Sequence, residues 1–565
     1  MKEDIIRLLS AAVAGRGAKD AKISLEYPEN PDHGDFSANA ALACAKELKM
    51  SPKALAEAII SVLRDSLPDY IESVGTAGAG FINFKIKSKA LAEKVVDMSK
   101  AKSLRPADKN SADKVMIEYT DPNTFKVFHI GHLMSNAIGE SLSRLVEFSG
   151  SKVVRICYPS DIGLHIAKSI WAMKENIAKM PSENASIREK TDFLGKMYVE
   201  GVNSYEKDPN AQADIDEINH LIYNKADPQI SELFDVGRKW SLEHFELLYK
   251  IFGTHFDETM YESDMAPIGL DIVKANVGRI FEESEGAVVF KGEKYGLHTR
   301  VFISSQGLPT YEAKEVGLNM RKFEKHPDAG RSVIVTANEQ NDYFKVLGKV
   351  LELIDEKNGP KLKHIGHGMM RFAGGKMSSR TGNVITADSL ISDLEGMALK
   401  KMAERRFPEK ESAEIAEQIA VAAVKYTVLR SSVGSDIVFD SVVSISFEGD
   451  SGPYLQYSAV RANSVLEKSN GPAKVSKLPE KVGLLERLLV RFPDVVLRAA
   501  REFSPQQVAG YLISLAGAFN GFYNATQIID EKDPLSPYKL ALTKAFLNTM
   551  TEGLWLLGIK VPERM

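Results

Sequence analysis

One stretch of this sequence constrains the fold more than any other, because strand and helix signals alternate in it without interruption. An apolar run at 115–119 ends in a turn at 121–123, and apolar residues then recur at helical spacing over 133–146. The helical pattern stops at Ser149-Gly150, a typical helix C-cap, and a second apolar run follows at 153–158. This order predicts a βαβ unit and therefore an α/β fold.

The predicted helix begins with the motif His129-Ile130-Gly131-His132. Ligands bind βαβ units at the C-terminal ends of the strands, where a helix N-terminus offers N–H groups and a positive dipole end to an anion. We expect His129 and His132 to bind triphosphate oxygens, and Gly131 to let a nucleotide approach the backbone. A histidine at a helix start is more often a surface or core residue, but the position between strand and helix favours the functional interpretation.

A second motif, Lys376-Met377-Ser378-Ser379-Arg380, follows much later in the chain. It has a basic residue at each end and two hydroxyls between them, and Gly374-Gly375 before it allows movement. Such a loop can close over a leaving pyrophosphate and share its charge. The alternative, a solvated surface loop, stays open at this point because Gly-Gly-Lys and Ser-Ser are common in loops.

Composition limits the class of protein. The chain of 565 residues is too long for one hydrophobic core, and 44% hydrophobic with 26% charged residues is typical of globular proteins. No apolar stretch is long enough to span a bilayer and the first residues include acids, so we expect a cytoplasmic protein without a membrane contact.

Cys44 and Cys157 lie far apart, so neither a disulfide framework nor a zinc site is expected. With a net charge of -4, any RNA contact must come from local basic patches.

The region before the βαβ unit has the pattern of a small separate domain. It predicts a helix over 5–13, strands over 23–27 and 82–86, and a helix that begins with Ser51-Pro52. A polar linker at 102–109 ends this region.

Strand signals return in the middle of the chain, at 288–290, 301–303 and 333–335. The last of them runs into Asn338-Glu339-Gln340 at the expected strand end. Long amphipathic helices over about 168–285 separate these strands from the βαβ unit. The pattern indicates a sheet whose two halves are divided by a helical insertion.

The last region, from about residue 446, is predicted to be all helix. Apolar residues recur near a spacing of 3.6 over 482–492, 508–523 and 538–557, and Pro493 is expected to end the first helix. Each segment has its own apolar face, so we expect the region to pack largely as an independent unit. Its aromatic residues are expected to be core rather than a stacking surface for bases: Phe519, Phe522 and Tyr523.

With these motifs the sequence resembles class I aminoacyl-tRNA synthetases, and more closely the arginyl-tRNA synthetase family. Five further segments carry the resemblance in the family's order: 118–126 (EYTDPNTFK), 161–166 (DIGLHI), 310–315 (TYEAKE), 339–344 (EQNDYF) and 452–457 (GPYLQY). The similarity spans nearly the whole chain. It implies activation of L-arginine with ATP and Mg²⁺, transfer to the 3′ end of tRNA(Arg), and activation that requires bound tRNA. We expect a monomer.

The resemblance also implies a domain plan. Residues 1–105 are expected to form a small α/β domain that contacts tRNA. Residues 106–445 are expected to form a Rossmann-type catalytic core with the helical insertion at about 168–285. Residues 446–565 are expected to form an all-α anticodon-binding bundle.

An arginine pocket needs carboxylates and hydrogen-bond acceptors, because a buried guanidinium must be paired. The residues that match the family's pocket are Glu118, Asn123, Tyr311, Glu315 and Gln340. Asn123 is expected to reach the amino or carboxylate end of the substrate. The family usually has aspartate where this chain has Glu315, so the reach of that side chain differs by one methylene.

The phosphate-binding residues expected from the resemblance are Lys126, His129, Gly131, His132, Lys376, Ser378, Ser379 and Arg380. The family more often has lysine where this chain has Arg380, and Lys126 stands where members with an altered loop often have a compensating lysine. Asp161 and His165 are expected to support the site. No general base is needed, because the arginine carboxylate is already anionic and can attack the α-phosphorus.

Rival hypotheses come from other classes. A small-metabolite nucleotidyltransferase also uses a His-x-Gly-His loop, but it needs neither the N-terminal nor the helical C-terminal region. A non-catalytic tRNA-binding paralogue is disfavoured by the intact His129, His132 and Lys376. A sister synthetase for another amino acid is the nearest alternative within the class.

Overall fold

The computed structural model describes residues 1–18, 21–28, 30–105, 113–373, 385–403, 407–469 and 474–565. These residues form two compact units. The smaller unit consists of Met1–Leu104, Arg461–Phe492 and Ser514–Thr549, and the larger unit of Arg105–Val460, Pro493–Ile513 and Met550–Met565. The βαβ segment therefore lies in the larger unit.

The N-terminal part of the smaller unit is an α/β arrangement. Its elements are α1 (Lys2–Ala14), β1 (Leu25–Glu26), β2 (Phe36–Ala38), α2 (Ala40–Cys44), α3 (Pro52–Leu63), β3 (Ile71–Ala77), β4 (Phe81–Ile86) and α4 (Ser88–Lys100). The strands pair antiparallel in the order β1-β2-β4-β3. Ser51 caps α3 by accepting a hydrogen bond from the Ala54 N–H at 3.3 Å. The first strand is shorter than expected, because the Ile23 N–H bonds to Ala21 O in a turn.

The larger unit alternates strands and helices along most of its length. In chain order its elements are β5 (Lys114–Tyr119), α5 (Ile130–Phe148), β6 (Lys152–Cys157), α6 (Leu164–Glu175), α7 (Ile187–Lys207), α8 (Pro209–Asn224), α9 (Pro228–Phe252), β7 (Glu258–Thr259), α10 (Glu262–Ala275), β8 (Glu282–Ser284), β9 (Ala287–Phe290), β10 (Arg300–Ile303), α11 (Tyr311–Lys325), β11 (Ala329–Ala337), α12 (Asn341–Ile354), β12 (Leu362–His367), β13 (Met370–Phe372), α13 (Ala387–Met402), α14 (Glu409–Leu429), β14 (Ile437–Phe439) and α15 (Ser441–Ser444).

A five-stranded parallel sheet is the centre of this unit. Its order is β12-β11-β5-β6-β7, so the sequence prediction of a Rossmann-type α/β core is confirmed. The order reverses between β5 and β11, and doubly wound folds bind ligands in the crevice at the C-terminal ends of such strands. The expected insertion at about 168–285 differs in extent from the observed helices, because β7 pairs with β6 inside that range.

Four helices, α6–α9, lie between β6 and β7 and share a core of their own. This core includes buried residues from each helix: Ile170, Phe193, Ile215 and Trp240. The predicted helical insertion is therefore a packed helical layer. Its aromatic residues Trp240 and Phe245 are buried, as the amphipathic pattern predicts.

The chain after α15 is helical, as predicted: α16 (Gly452–Glu467), α17 (Leu484–Glu502), α18 (Gln506–Ala525) and α19 (Ser536–Leu556). The expected helix end at Pro493 is wrong, since this proline lies inside α17. Phe492, Val496 and Ala499 are all buried, so the apolar stripe continues past the proline and offsets its lost hydrogen bond. No helix in the described ranges has both the length and the apolar composition needed to cross a membrane.

The aromatic residues of α18 do not share one environment. The Phe519 ring is buried and stacks on Phe546 with centroids 3.8 Å apart. Phe522 is partly buried, and Tyr523 is 37% exposed. The expectation that all three belong to the core is therefore wrong for Tyr523.

Residues at the end of the sequence complete the larger unit. Lys425 on α14 is 2% exposed and donates hydrogen bonds to Phe252 O at 2.5 Å and Gly558 O at 2.9 Å. Arg144 on α5 donates to Trp555 O at 2.7 Å. Lys425 thus supplies a donor to the carbonyls of Phe252 and Gly558 at helix ends, and Arg144 adds a second donor to Trp555 O, which also accepts from the Gly558 N–H. The expectation that the C-terminal helices pack as an independent unit is therefore wrong for this end of the chain.

Candidate active site

The loop between β5 and α5 holds a strained backbone at the crevice. Thr120, Asp121 and Phe125 have φ angles of 82°, 42° and 62°, in the left-handed region that residues with a Cβ rarely adopt. Two serines from neighbouring helices hold it: Ser135 accepts from the Thr120 N–H at 3.0 Å, and Ser241 from the Phe125 N–H at 2.9 Å. Backbone strain of this kind persists only where surrounding contacts hold the residues in place, and it is common at ligand-binding sites.

His129 and His132 close the N-terminus of α5 with a reciprocal cap. The Gly131 N–H donates to His129 Nδ1 at 3.1 Å, and the His129 N–H donates to His132 Nδ1 at 3.3 Å. Because each Nδ1 is an acceptor, each neutral ring carries its proton on Nε2. Burial lowers the pKa of both imidazoles, that of His132 well below its usual value. The helix start therefore presents two neutral Nε2–H donors.

Gly131 is required by this cap. A Cβ at position 131 would lie 2.9 Å from His129 Cε1 and 3.0 Å from its Nδ1. Only glycine leaves room for the capping ring, which is a structural reason that the sequence did not reveal. The approach of a nucleotide to this backbone stays a prediction.

Lys126 lies close to both imidazoles. Its Nζ stands 4.8 Å from the centroid of the Tyr198 ring. Burial lowers the pKa of Lys126, while Glu262 opposes the shift. The ammonium in turn contributes to the lowered pKa of His129 and His132. A cation and two neutral donors therefore face the same crevice.

Four residues of the second motif, Lys376, Ser378, Ser379 and Arg380, lie outside the described residues, so their placement stays a prediction. The segment that follows them is described. Thr386 forms an antiparallel bridge with His129, and the Ala387 N–H donates to Phe128 O at 2.9 Å. Thr386 and Ala387 therefore lie directly beside the first motif.

Carboxylates from β5, its loop and α11 form an acidic pocket next to this region. Glu118 is 2% and Glu315 0% exposed, and Lys322, also 0% exposed, forms an ion pair with Glu118. Burial, followed by the nearby Glu118, raises the pKa of Glu315 to about 8 and that of Asp121 well above its usual range. Three acids thus share one lysine, and a bound cation would stabilise their ionised forms.

Three tyrosines lie near the Glu315 carboxylate: Tyr158, Tyr311 and Tyr343. Tyr311 begins α11 one turn before Glu315 and interacts electrostatically with its carboxylate. Burial, followed by Glu315, raises the pKa of Tyr311 well above its usual value. Glu315 Oε1 and the buried hydroxyls of Tyr158 and Tyr343 have no hydrogen-bond partner among the described residues. Buried polar atoms without partners are costly, so the pocket is suited to a ligand with several donors.

The remaining predicted pocket residues lie at the same edge of the sheet but make other contacts. The side-chain amide of Asn123 lies 3.4 Å from His132 Nε2, which places it toward the phosphate-binding side. Gln340 ends the short 3₁₀ turn that follows β11 and is partly buried. The structure therefore brings Glu118, Tyr311 and Glu315 together, while Gln340 shares only the sheet edge with them.

Asp161 and His165 differ in whether their buried polar atoms have hydrogen-bond partners. Asp161 is 0% exposed and accepts from the Ser263 N–H at 2.8 Å and from Arg238 Nε at 2.8 Å, so it holds the loop after β6. His165 Nε2 is buried without a partner in the described ranges. Burial, followed by Lys126, lowers the pKa of His165 well below its usual value.

Sequence reasoning missed several polar residues of the site, namely Tyr158, Glu262, Lys314, Asn319, Lys322 and Tyr343. Glu262 and Lys314 form a buried ion pair beside Lys126. A signal existed for part of the set: Tyr311, Glu315, Asn319 and Lys322 follow each other at helical spacing. That stripe reads as a solvated helix face, whereas α11 turns it toward the sheet.

Three family models match the chain. The model described as tRNA synthetases class I (R), catalytic domain, matches residues 94–441. The arginyl tRNA synthetase N terminal domain matches residues 1–86, and the DALR anticodon binding domain matches residues 455–565.

Relatives match over nearly the whole length. The arginine–tRNA ligase of Borreliella burgdorferi is 30% identical over 560 residues, covering 95% of this chain and 94% of the relative. That of Clostridium beijerinckii is 30% identical over 552 residues, covering 96% of each chain. The solved arginyl-tRNA synthetase of Thermus thermophilus shares the fold, with a TM-score of 0.82 at 23% identity over 100% of both chains.

A parallel nucleotide-binding sheet with a capped histidine motif at its switch point, together with the matched catalytic domain, defines a class I aminoacyl-tRNA synthetase. The matched models and relatives cover nearly the whole chain and concern one family. The chain belongs to the arginyl-tRNA synthetase family. It is an arginine–tRNA ligase, which activates arginine and attaches it to tRNA(Arg).

Proposed function

We propose that the acidic pocket binds the substrate guanidinium and that the histidine motif binds the triphosphate. The observation that carries the proposal is the pocket of three acids and unpartnered hydroxyls beside the capped helix start. Glu118, Glu315 and Tyr311 receive the guanidinium, and Asn123, near His132, holds the amino or carboxylate end. Gln340 completes the pocket from the end of β11.

In the activation step a carboxylate oxygen of arginine attacks the α-phosphorus of ATP, and the bond to pyrophosphate breaks. The Nε2–H groups of His129 and His132 donate to phosphate oxygens on which charge develops, and Lys126 shares that charge. The 3′-terminal ribose hydroxyl of tRNA then attacks the carbonyl of the adenylate and releases AMP. Neither step uses a protein nucleophile.

Magnesium fits this site as a companion of ATP. No group of three or more His, Cys, Asp or Glu side chains within the described ranges is placed to hold a metal. Mg²⁺ is commonly bound by substrate phosphates and water rather than by an all-protein cage. When bound, it would share the phosphate charge with the histidines and Lys126.

Transfer RNA enters the proposal as an activator as well as a substrate. The matched N-terminal and anticodon-binding domains support contacts at both ends of the chain. We assign residues 1–105 and 446–565 to tRNA contact and 106–445 to catalysis, in a cytoplasmic monomer. Light scattering at the concentrations used in the assays measures the molar mass and so tests the proposed monomeric state.

Arginine-dependent exchange of pyrophosphate into ATP tests the proposal, measured with and without tRNA(Arg). We expect exchange only in the presence of tRNA, and charging with arginine alone among the amino acids. Exchange independent of tRNA would favour a nucleotidyltransferase-like activation step. Tests with all amino acids and total tRNA separate the sister synthetases.

A further inference from the structure

The ion pair between Glu118 and Lys322 joins two groups that water hardly reaches. Glu118 is 2% and Lys322 0% exposed. Neither Glu118 Oε2 nor Lys322 Nζ has another hydrogen-bond partner among the described residues. A buried charge without a counter-charge is strongly unfavourable, so each group supplies the counter-charge that the other needs.

Glu315 has no such counter-charge of its own. It lies seven positions before Lys322 on the same face of α11, and Asn319 between them donates its amide to Glu315 Oε2 at 3.3 Å. Glu315 Oε1 is buried without a partner in the described part of the chain. The pocket therefore contains one carboxylate whose charge is balanced and one, Glu315, with an unpartnered oxygen and no ion-pair partner of its own.

We propose that Lys322 is a positioning residue of the arginine pocket: it balances the charge of Glu118, so that Glu315 supplies the charge that selects the guanidinium. This inference rests on the proposed arginine pocket and assigns separate tasks to its two glutamates. Glu118 keeps an acceptor oxygen for a hydrogen bond but contributes no net attraction. A guanidinium carries five donors in a plane, so it can pair with Glu315 while other N–H groups reach the hydroxyls of Tyr158 and Tyr343.

The decisive comparison is Glu118→Gln against the double variant Glu118→Gln/Lys322→Met, assayed with saturating tRNA. In the single variant Lys322 is left unpaired and repels the guanidinium, so the arginine KM should rise by roughly 10²-fold. The double variant replaces the ion pair by neutral groups of similar volume and should return the arginine KM to within about tenfold of the parent. The ATP KM should hardly change in either protein.

Conservative and matched variants control for a purely structural role. Lys322→Arg keeps the charge and should keep the arginine KM close to the parent value. Lys322→Met alone should weaken arginine binding, because two neighbouring carboxylates then retain a proton that the guanidinium must displace. Glu315→Gln should remain defective for arginine with or without Lys322→Met. Thermal melting by circular dichroism confirms that each variant is folded.

The outcomes separate this inference from the function on which it rests. If the double variant stays as defective as Glu118→Gln, then Glu118 itself provides the selecting charge and the role of Lys322 is overturned. An arginine KM for Lys322→Arg as high as that for Glu118→Gln would overturn it as well, even where the double variant does not fold. If no variant, Glu315→Gln included, changes the arginine KM more than the ATP KM, the proposed pocket itself is wrong.

Discussion

The imidazole rings of His129 and His132 are stacked with their centroids 3.7 Å apart, at an interplanar angle of 18°. Each Nδ1 accepts a backbone N–H of the same helical turn. The first turn of α5 thereby sets the tautomer of both rings, and their lowered pKa keeps them neutral at physiological pH. Hydrogen-bond donation rather than fixed positive charge is then their contribution to phosphate binding.

Replacement of His132 by alanine tests this contribution. If its Nε2–H donates to phosphate in the transition state, turnover should fall by roughly 10²-fold or more while the protein stays folded. Single-turnover measurement of adenylate formation reports the effect. Near-normal charging by the folded variant would exclude His132 from the site.

Arginine binding should strengthen as pH rises toward 8. Substrate arginine stays cationic, and it pairs with ionised Glu315, whose pKa is raised to about 8. The groups that face Glu315 are Glu118, Asp121, Glu262, Tyr158, Tyr311, Lys322 and Tyr343. The arginine KM should fall by up to about tenfold per pH unit below 8 and level off above it. Glu315→Gln should abolish that slope, and a parent profile that is flat from about pH 6 to 8 contradicts the assignment.

The stability of the arginine-free protein should change in the opposite direction. Glu315 titrates near its usual value of 4.5 when unfolded and at about 8 when folded, so the native state binds the extra proton between these values. Rising pH through that window therefore lowers the free energy of unfolding. Melting curves of the parent and Glu315→Gln measure this difference. Saturating arginine should reduce it, since the guanidinium replaces the proton.

Removal of residues 550–565 should prevent the larger unit from folding. The truncated chain lacks Gly558 O, one of the two carbonyl partners of Lys425, and Trp555 O, one of the carbonyls that Arg144 bonds to. It also lacks the buried side chains of Leu554 and Leu557. We expect an insoluble or molten protein by size-exclusion chromatography and near-ultraviolet circular dichroism. Lys425→Met is a milder comparison, expected to lower the free energy of unfolding by about 2 kcal/mol. A truncated chain that melts cooperatively at the parent temperature contradicts this account.

Tyr523 should contribute to tRNA affinity. Its ring is 37% exposed and stands 5.0 Å from the guanidinium carbon of Arg461, which bonds to Asn520 at 2.7 Å. An exposed ring held by a cation can stack on a base, and Tyr523→Ala should weaken tRNA binding by roughly tenfold. Tyr523→Phe keeps the ring and should bind normally in a filter-binding assay. Equal affinities for the alanine and phenylalanine variants would exclude stacking at this position.

Local patterns predicted the parts of the site that depend on neighbours in sequence. The βαβ signals placed His129 and His132 at a helix start beside a strand end, and the structure confirms that placement. The assignment to arginine came from the family resemblance, since Glu118 and Glu315 lie far apart in sequence. Their meeting depends on how β5 pairs with β11 and how α11 packs on the sheet.

The partner of Glu118 could not be predicted in the same way. Lys322 looks like one more charged residue in a polar stretch, and only packing shows that its side chain is turned inward. Pro493 was misleading for a related reason. A proline ends a helix by default, but buried residues on both sides of it favour continuation.

The hydrogen bond from Lys425 Nζ to Gly558 O has a consequence for how the protein is made. Synthesis is vectorial, so β5, α5 and the acidic pocket leave the ribosome long before Gly558 does. Until then, the buried ammonium of Lys425 has only one of its two carbonyl partners, and the end of α9 is not yet tied to the last helix. Nascent chains should therefore remain unable to charge tRNA until Gly558 has been translated, so that products terminated before this residue cannot compete for tRNA(Arg) in a half-active form.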